Sequence, residues 1–223
     1  MNPSPLMTQS DKDIGWIETY SGKQFYLDGT DTDSIVIEDI AHALANLCRY
    51  NGHTNRFYSV AEHSVLVSYA VPKEYALWGL MHDASEAYLS DIPRPFKAMI
   101  ANYKTMEANV MARIAKKYGM EPTEPAIVKN ADSALLYPEA QHLMASRGEL
   151  WADIDRYYDQ FVIGIGYGEK SPAECLWDNL PQRGGVANMT KHYDGEITLT
   201  PPCWTPAQAK TAFLSRFIEL KGY

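Results

Sequence analysis

The run Leu77-Trp78-Gly79-Leu80-Met81-His82-Asp83-Ala84-Ser85-Glu86-Ala87 decides how the rest of the chain is read. It sets two strong metal ligands, His82 and Asp83, side by side in an apolar stretch of helical character. A carboxylate taken out of water without a partner is costly, so this pair calls for a cation or a strong hydrogen-bonding neighbour. Structural His-Asp contacts are common, and the dipeptide alone indicates little. What matters is whether the chain holds further ligands that a fold can bring in.

It does. His63 stands in Ser59-Val60-Ala61-Glu62-His63-Ser64-Val65-Leu66-Val67, and Asp132 stands in Ile127-Val128-Lys129-Asn130-Ala131-Asp132-Ser133-Ala134-Leu135-Leu136. Both segments have apolar spacing that predicts a helix, so the ligands fall on three separate helices. Two imidazoles and two carboxylates suit one divalent metal in a mixed nitrogen and oxygen site; cobalt, manganese, zinc, iron and magnesium are all admissible. A closed structural zinc site prefers tetrahedral thiolate-rich coordination, so this donor set favours hydrolytic chemistry. On a helix Glu86 shares a face with His82 and Asp83, where its carboxylate can act as general base or protonate a leaving oxygen. Its bland alternative is a solvated helix glutamate.

The order His63, His82-Asp83, Asp132 resembles that of the HD-domain phosphohydrolases. The runs His82-Asp83-Ala84-Ser85-Glu86 and Asp91-Ile92-Pro93-Arg94-Pro95-Phe96-Lys97 narrow the resemblance to bacterial 5′-deoxynucleotidases and their short phage- and prophage-encoded members, phage dATP triphosphohydrolases included. It covers residues 17–146 well and the segment from Leu199 more loosely. The resemblance implies an all-α helical bundle and a metal held by His63, His82, Asp83 and Asp132. It also implies that Glu86 lies close to the reaction centre and that Asp91 accepts a hydrogen bond from the sugar 3′-hydroxyl. Asp91 can equally cap the local turn. Lys97 answers to the lysine of the family's PxPxK run and is expected at phosphate, ahead of its neighbour Arg94. Arg49-Tyr50 answers to an arginine followed by an aromatic, where relatives often carry Trp; the change to Tyr50 leaves base and sugar selectivity open. His53 and Arg56, in a polar loop, are candidate phosphate contacts or plain surface residues.

The functional expectation is a metal-dependent phosphohydrolase releasing phosphate from 2′-deoxynucleoside 5′-monophosphates. Its alternatives are a deoxynucleoside triphosphate triphosphohydrolase, for which His53, Arg56 and Lys104 supply extra positive charge, and a catalytically degenerate nucleotide-binding module. The implied partner is a small deoxynucleotide, with a homo-oligomer (a dimer or higher) as a family tendency.

Composition is consistent with this reading. The 223 residues suffice for one domain with a full core, and 46% hydrophobic with 22% charged residues is ordinary for a globular protein. A net charge of −8 argues against binding a nucleic-acid polymer through its phosphates. Cys48, Cys175 and Cys203 are scattered and form no CxxC pair, which predicts reduced thiols and a cytoplasmic location, in a bacterium or in the host if the gene is a phage's. No run approaches a membrane span.

The expected organisation is a flexible tail at 1–15 and a single domain at 16–223. The periodicity predicts a β-hairpin within 16–28 and a helix from Ile37 to Leu47. Further helices are predicted at 59–71, 73–89, 103–118, 124–146 and 205–220. Residues 147–204 read as an irregular insertion or lid, rich in Gly, Pro and Asn from 164 onward.

Overall fold

The computed structural model describes residues 15–164, 169–180 and 187–222. The chain is mostly helical, with two small antiparallel hairpins. The expected tail at 1–15 lies outside the described residues except for Gly15.

The centre of the fold is helix α2 (Val60–Ala70), in which every residue is buried. A helix enclosed on all sides needs no polar face, and the segment's near-continuous apolar character reflects that. Around it pack α1 (Ile37–Asn46), α3 (Ala76–Met81), α7 (Ala126–Leu143), α9 (Pro172–Asn179) and α10 (Pro206–Lys221). Ser59 caps α2 by accepting from the Glu62 amide at 3.1 Å. The strand-like segment before it is tied to the end of α1 through Arg49 N–H to the Tyr58 carbonyl (3.0 Å) and Val60 N–H to the Leu47 carbonyl (3.1 Å). These ties hold Arg49 and Tyr58 beside each other next to the start of α2.

Gly79 sets the depth at which α3 meets α2. A methyl group built there would stand 2.9 Å from the Ser68 Cα and 3.1 Å from the Val67 carbonyl oxygen, so only glycine allows this approach. The helix predicted over 73–89 is broken. Regular helix ends at Met81, residues 82–85 form tightened turns, and α4 (Glu86–Leu89) follows. The Ala84 N–H bonds to the Met81 carbonyl and the Glu86 N–H to the Asp83 carbonyl, both at 2.9 Å and both spanning three residues. Three-residue turns set side chains at i and i+3 in line, which places Glu86 over Asp83. At Ser90 the backbone enters φ 71°, unfavourable for a residue with a Cβ, and redirects the chain at Asp91.

Short α5 (Arg94–Lys97) and long α6 (Tyr103–Tyr118) follow, the latter closed by Gly119 at φ 64°. The first hairpin, β1 (Trp16–Glu18) with β2 (Gln24–Tyr26), pairs Trp16 with Tyr26 and sends Phe25 into the core against Tyr88, ring centroids 3.8 Å apart. The segment expected to be an irregular insertion is structured. It holds α8 (Ile154–Tyr158), α9 with a Ser171/Glu174 capping box, and the hairpin β3 (Asn188–Lys191) with β4 (Ile197–Thr200). Phe161, Leu176, Ile197 and Leu199 from this region belong to the same hydrophobic core as α2, so it is part of the body of the fold. Its Gly and Pro residues punctuate short elements whose apolar positions are too few to register as periodic. No helix of the described residues is long and apolar enough to cross a membrane. All three cysteines are free thiols.

Candidate metal centre and active-site cavity

Asp132 and Glu139 stand seven residues apart on α7, two turns along one face. The His63 imidazole, projecting from α2, sits between them. Its Nε2 is 3.1 Å from Asp132 Oδ1 and its Nδ1 is 2.5 Å from Glu139 Oε1. A carboxylate only accepts, so Nδ1 donates to Glu139, and Nε2 is the ring nitrogen turned toward Asp132. His82 is set the same way. Its Nδ1–H donates to the Gly79 carbonyl at 2.9 Å, and its Nε2 is turned inward, 3.1 Å from Asp83 Oδ2 and 4.0 Å from Asp132 Oδ1.

One ligand atom each from His63, His82 and Asp132 lie within 4.8 Å of one another, a cluster at metal-binding distance. Nitrogen and oxygen ligands bind such ions at ~2.0–2.2 Å, which separates neighbouring ligand atoms by roughly 3–4 Å. The separations of 3.1 and 4.0 Å match this. The fit is supported by His82 Nε2, a buried atom with no hydrogen-bond partner. Two imidazole nitrogens and the Asp132 carboxylate converge there, with Asp83 beside His82, so the residues suit a divalent cation.

Charge balance around the cluster follows from burial. Desolvation alone would lower the His82 imidazole; Asp83 and Asp132 overcome it and raise it to about 10. Burial would raise Asp83, and His82 holds it at about 2 instead. Burial likewise acts against the Asp132 carboxylate, and the two histidines keep it far below the ordinary range. Glu139 is completely buried, yet the Arg49 guanidinium and His63 hold it at about 2. It accepts from His63, from Tyr58 Oη at 2.9 Å, from Arg49 at 3.2 Å and from the Tyr50 hydroxyl. This one carboxylate therefore orients a ligand and anchors three neighbours.

The cluster borders a cavity of about 860 Å³ whose walls include Arg49, Tyr50, Glu86, Asp91 and Lys97. Among the described residues, Arg49 Nε, Trp78 Nε1, His82 Nε2 and Glu86 Oε2 are buried polar atoms without a hydrogen-bond partner, and all four residues line this cavity. Burial, with the charges of Asp83 and Asp91, pushes the Glu86 carboxyl well above its ordinary range. Burial also raises Asp91.

Two placements differ from the sequence expectation. Lys97 is in the cavity wall, but its ammonium is shared by Glu86 (3.0 Å) and Glu107 (2.8 Å), so its charge is already balanced. Arg94 is the more open cation. Its side chain is 63% exposed and contacts Asp132 Oδ2 at 2.8 Å, at the edge of the cluster. His53 and Arg56 do not line the cavity, and both are exposed. The charge of Arg56 acts instead on Glu62, His142 and Cys203. Tyr50 and Asn51, at φ 55° and 51°, turn the backbone the other way after Arg49, which separates the loop of His53 and Arg56 from the Arg49 side chain.

Lys104 and Lys129 do line the cavity. So does Trp151, whose ring centroid is 5.9 Å from that of Tyr50. Sequence reasoning passes over Glu139, Trp78 and Trp151. For Glu139 a signal exists: a second carboxylate two turns beyond Asp132 on a strongly apolar helix. Trp151 falls in a stretch without periodicity and carries no such signal.

No family model matches the chain. Over 138 residues it is 48% identical to a protein of Escherichia coli (strain K12) described as "Uncharacterized protein YfdR", an alignment covering 62% of this chain and 78% of YfdR. Over 130 residues it is 38% identical to "Uncharacterized protein RCAP_rcc00048" of Rhodobacter capsulatus, covering 53% of this chain and 66% of that protein. With nearly half of the aligned positions identical across most of YfdR, the chain belongs to the YfdR family.

Proposed function

We propose that this protein is a metal-dependent phosphohydrolase of the HD-domain type that releases phosphate from 2′-deoxynucleoside 5′-monophosphates. The observation that carries the reading is the cluster of His63, His82 and Asp132, with Asp83 Oδ2 3.1 Å from His82 Nε2, beside a cavity that His82, Asp83 and Asp132 help to line. A divalent ion held by these four residues would supply a water of lowered pKa and positive charge for a phosphoryl oxygen.

The remaining roles belong to the chain. Glu139 and the Gly79 carbonyl each fix one imidazole so that Nε2 is free to bind. Arg49, buried between Asp83 (3.6 Å) and Glu139 (3.2 Å), keeps the Glu139 carboxylate ionised. Glu86 Oε1 accepts from Lys97, which leaves Oε2, on a carboxyl that burial pushes toward its protonated form, to give a proton to the departing sugar oxygen. Arg94, exposed at the cluster's edge, offsets charge on the non-bridging oxygens. Asp91, in the cavity wall, would accept from a sugar hydroxyl. The triphosphohydrolase reading draws support from Lys104 and Lys129, which put two further cations in the same wall.

Chromatographic product analysis tests the proposal. The manganese-loaded protein is offered deoxynucleoside mono-, di- and triphosphates separately, with Asp83→Ala as control. Orthophosphate from monophosphates alone is the expected result. Tripolyphosphate from triphosphates would select the alternative, and inertness toward all of them would refute both.

A further inference from the structure

Of the four unpartnered polar atoms in the cavity wall, three have a place in the chemistry above: His82 Nε2 as ligand, Glu86 Oε2 as proton donor, and Arg49 Nε within the charge that holds Asp83 and Glu139. The fourth is Trp78 Nε1. An indole N–H can only donate, and a buried donor left without an acceptor costs about 1–3 kcal/mol. Trp78 is 8% exposed and is among the residues that line the cavity.

Its position is fixed. Close packing of Gly79 on Ser68 sets the rotation of α3 about its axis. Trp78 and His82 are four residues apart and share a face of that helical segment, one turn or ~6 Å of rise between them. A ligand group that met Nε1 would lie along the α3 face that His82 shares, displaced from the reacting phosphate toward the start of the helix. In a nucleoside monophosphate the part displaced from the phosphate is the sugar and base.

We infer that Trp78 is a specificity-determining residue whose indole N–H donates to an acceptor on the nucleoside half of the substrate. The inference rests on the nucleotide reading above. Tyr50 and Trp151 supply aromatic surface in the same cavity, suited to the flat, apolar faces of a base. Trp78 adds a polar contact that such faces cannot give.

The test uses manganese-loaded wild type and Trp78→Phe, which keeps a ring and removes the N–H. Each is titrated calorimetrically with the non-hydrolysable 5′-methylenephosphonate analogue of 2′-deoxyadenosine monophosphate, and separately with inorganic phosphate. The expected result is about a tenfold loss of affinity for the analogue, the effect of one hydrogen bond, with phosphate binding unchanged. Equal analogue affinity in both proteins overturns the role of Trp78 and leaves the nucleotide reading standing. An equal loss for phosphate overturns the assignment to the nucleoside half. Wild type that binds manganese but not the analogue overturns both. If Trp78→Phe does not fold, the indole ¹⁵N–¹H resonances of the wild type decide. One of them should move downfield with the analogue and not with phosphate, and absence of that movement refutes the inference.

Discussion

Replacing Glu139 by Gln keeps the side chain's shape and removes its charge, and the consequences can be worked from its contacts. In the folded protein the carboxylate falls from 4.5 to about 2. At roughly 1.4 kcal/mol per pH unit, that shift corresponds to about 3 kcal/mol of stability at neutral pH. The sign follows from the lowered value: the contribution is complete above pH 4.5 and is lost as pH falls through about 2. A second route gives the same size, since removing one partner of a buried ion pair costs about 3–5 kcal/mol, and here Arg49 would lose its nearer carboxylate. Glu139→Gln should therefore lower the urea-unfolding free energy by about 3 kcal/mol at pH 7 in chelator-treated buffer, with the difference from wild type shrinking below pH 4. Metal affinity should fall about 10- to 100-fold, because Gln orients the His63 ring less firmly and adds no basicity to it. Calorimetric titration of manganese into both proteins measures this. Wild-type stability together with wild-type metal affinity would refute the assignment of Glu139 as the carboxylate that orients His63.

Four further outcomes follow from the same geometry. Asp83→Ala should abolish both metal binding and phosphate release, measured by metal content after dialysis and by orthophosphate assay; activity retained in metal-free buffer would refute the cluster's role. Glu86→Ala should slow turnover about 100-fold or more while metal content stays at the wild-type level, as loss of a general acid predicts. Gly79→Ala forces a methyl group to 2.9 Å from the Ser68 Cα, and should cost about 1–3 kcal/mol by denaturant unfolding. Burial raises Glu62 from 4.5 to about 7 against the pull of the Trp204 and Cys203 amides. The Glu62 contribution to apo-protein stability should therefore be complete below pH 4.5 and be lost as pH rises through 7, and Glu62→Gln should flatten that slope in thermal-melt series.

The legible parts of the fold were those in which local pattern and tertiary burial coincide. Helices α1, α2, α6, α7 and α10 fall where apolar periodicity predicts them, with ends displaced by a few residues. The first hairpin was visible because aromatic residues alternate about Ser21-Gly22. Two misreadings share a cause. The tightened turns at 82–85 keep helical side-chain spacing, so the sequence looks like unbroken helix. The core-bound elements between 154 and 200 are each so short that one or two buried residues carry them, as Phe161 and Leu176 do. Periodicity needs several turns to register, and these segments do not supply them.

The site was legible to a different depth. Residue types and order brought His63, His82, Asp83 and Asp132 forward; His63, His82 and Asp132 cluster, and Asp83 lies outside that cluster with Oδ2 3.1 Å from His82 Nε2. Order in sequence cannot say whether a charge is already balanced, and the cations show the consequence. Lys97 has the expected place but faces two carboxylates, whereas Arg94, three residues earlier and exposed, meets one that also contacts His63. A phosphate entering the cavity would have to compete with Glu86 and Glu107 for Lys97, but would need Arg94 only to lean away from Asp132. Lys97→Ala should therefore act chiefly through Glu86, by removing the cation that lowers its pKa, and shift the pH profile of turnover upward. Arg94→Ala should raise KM several-fold and leave that profile in place. A pH shift with Arg94→Ala, or a pure KM effect with Lys97→Ala, would reverse the two assignments.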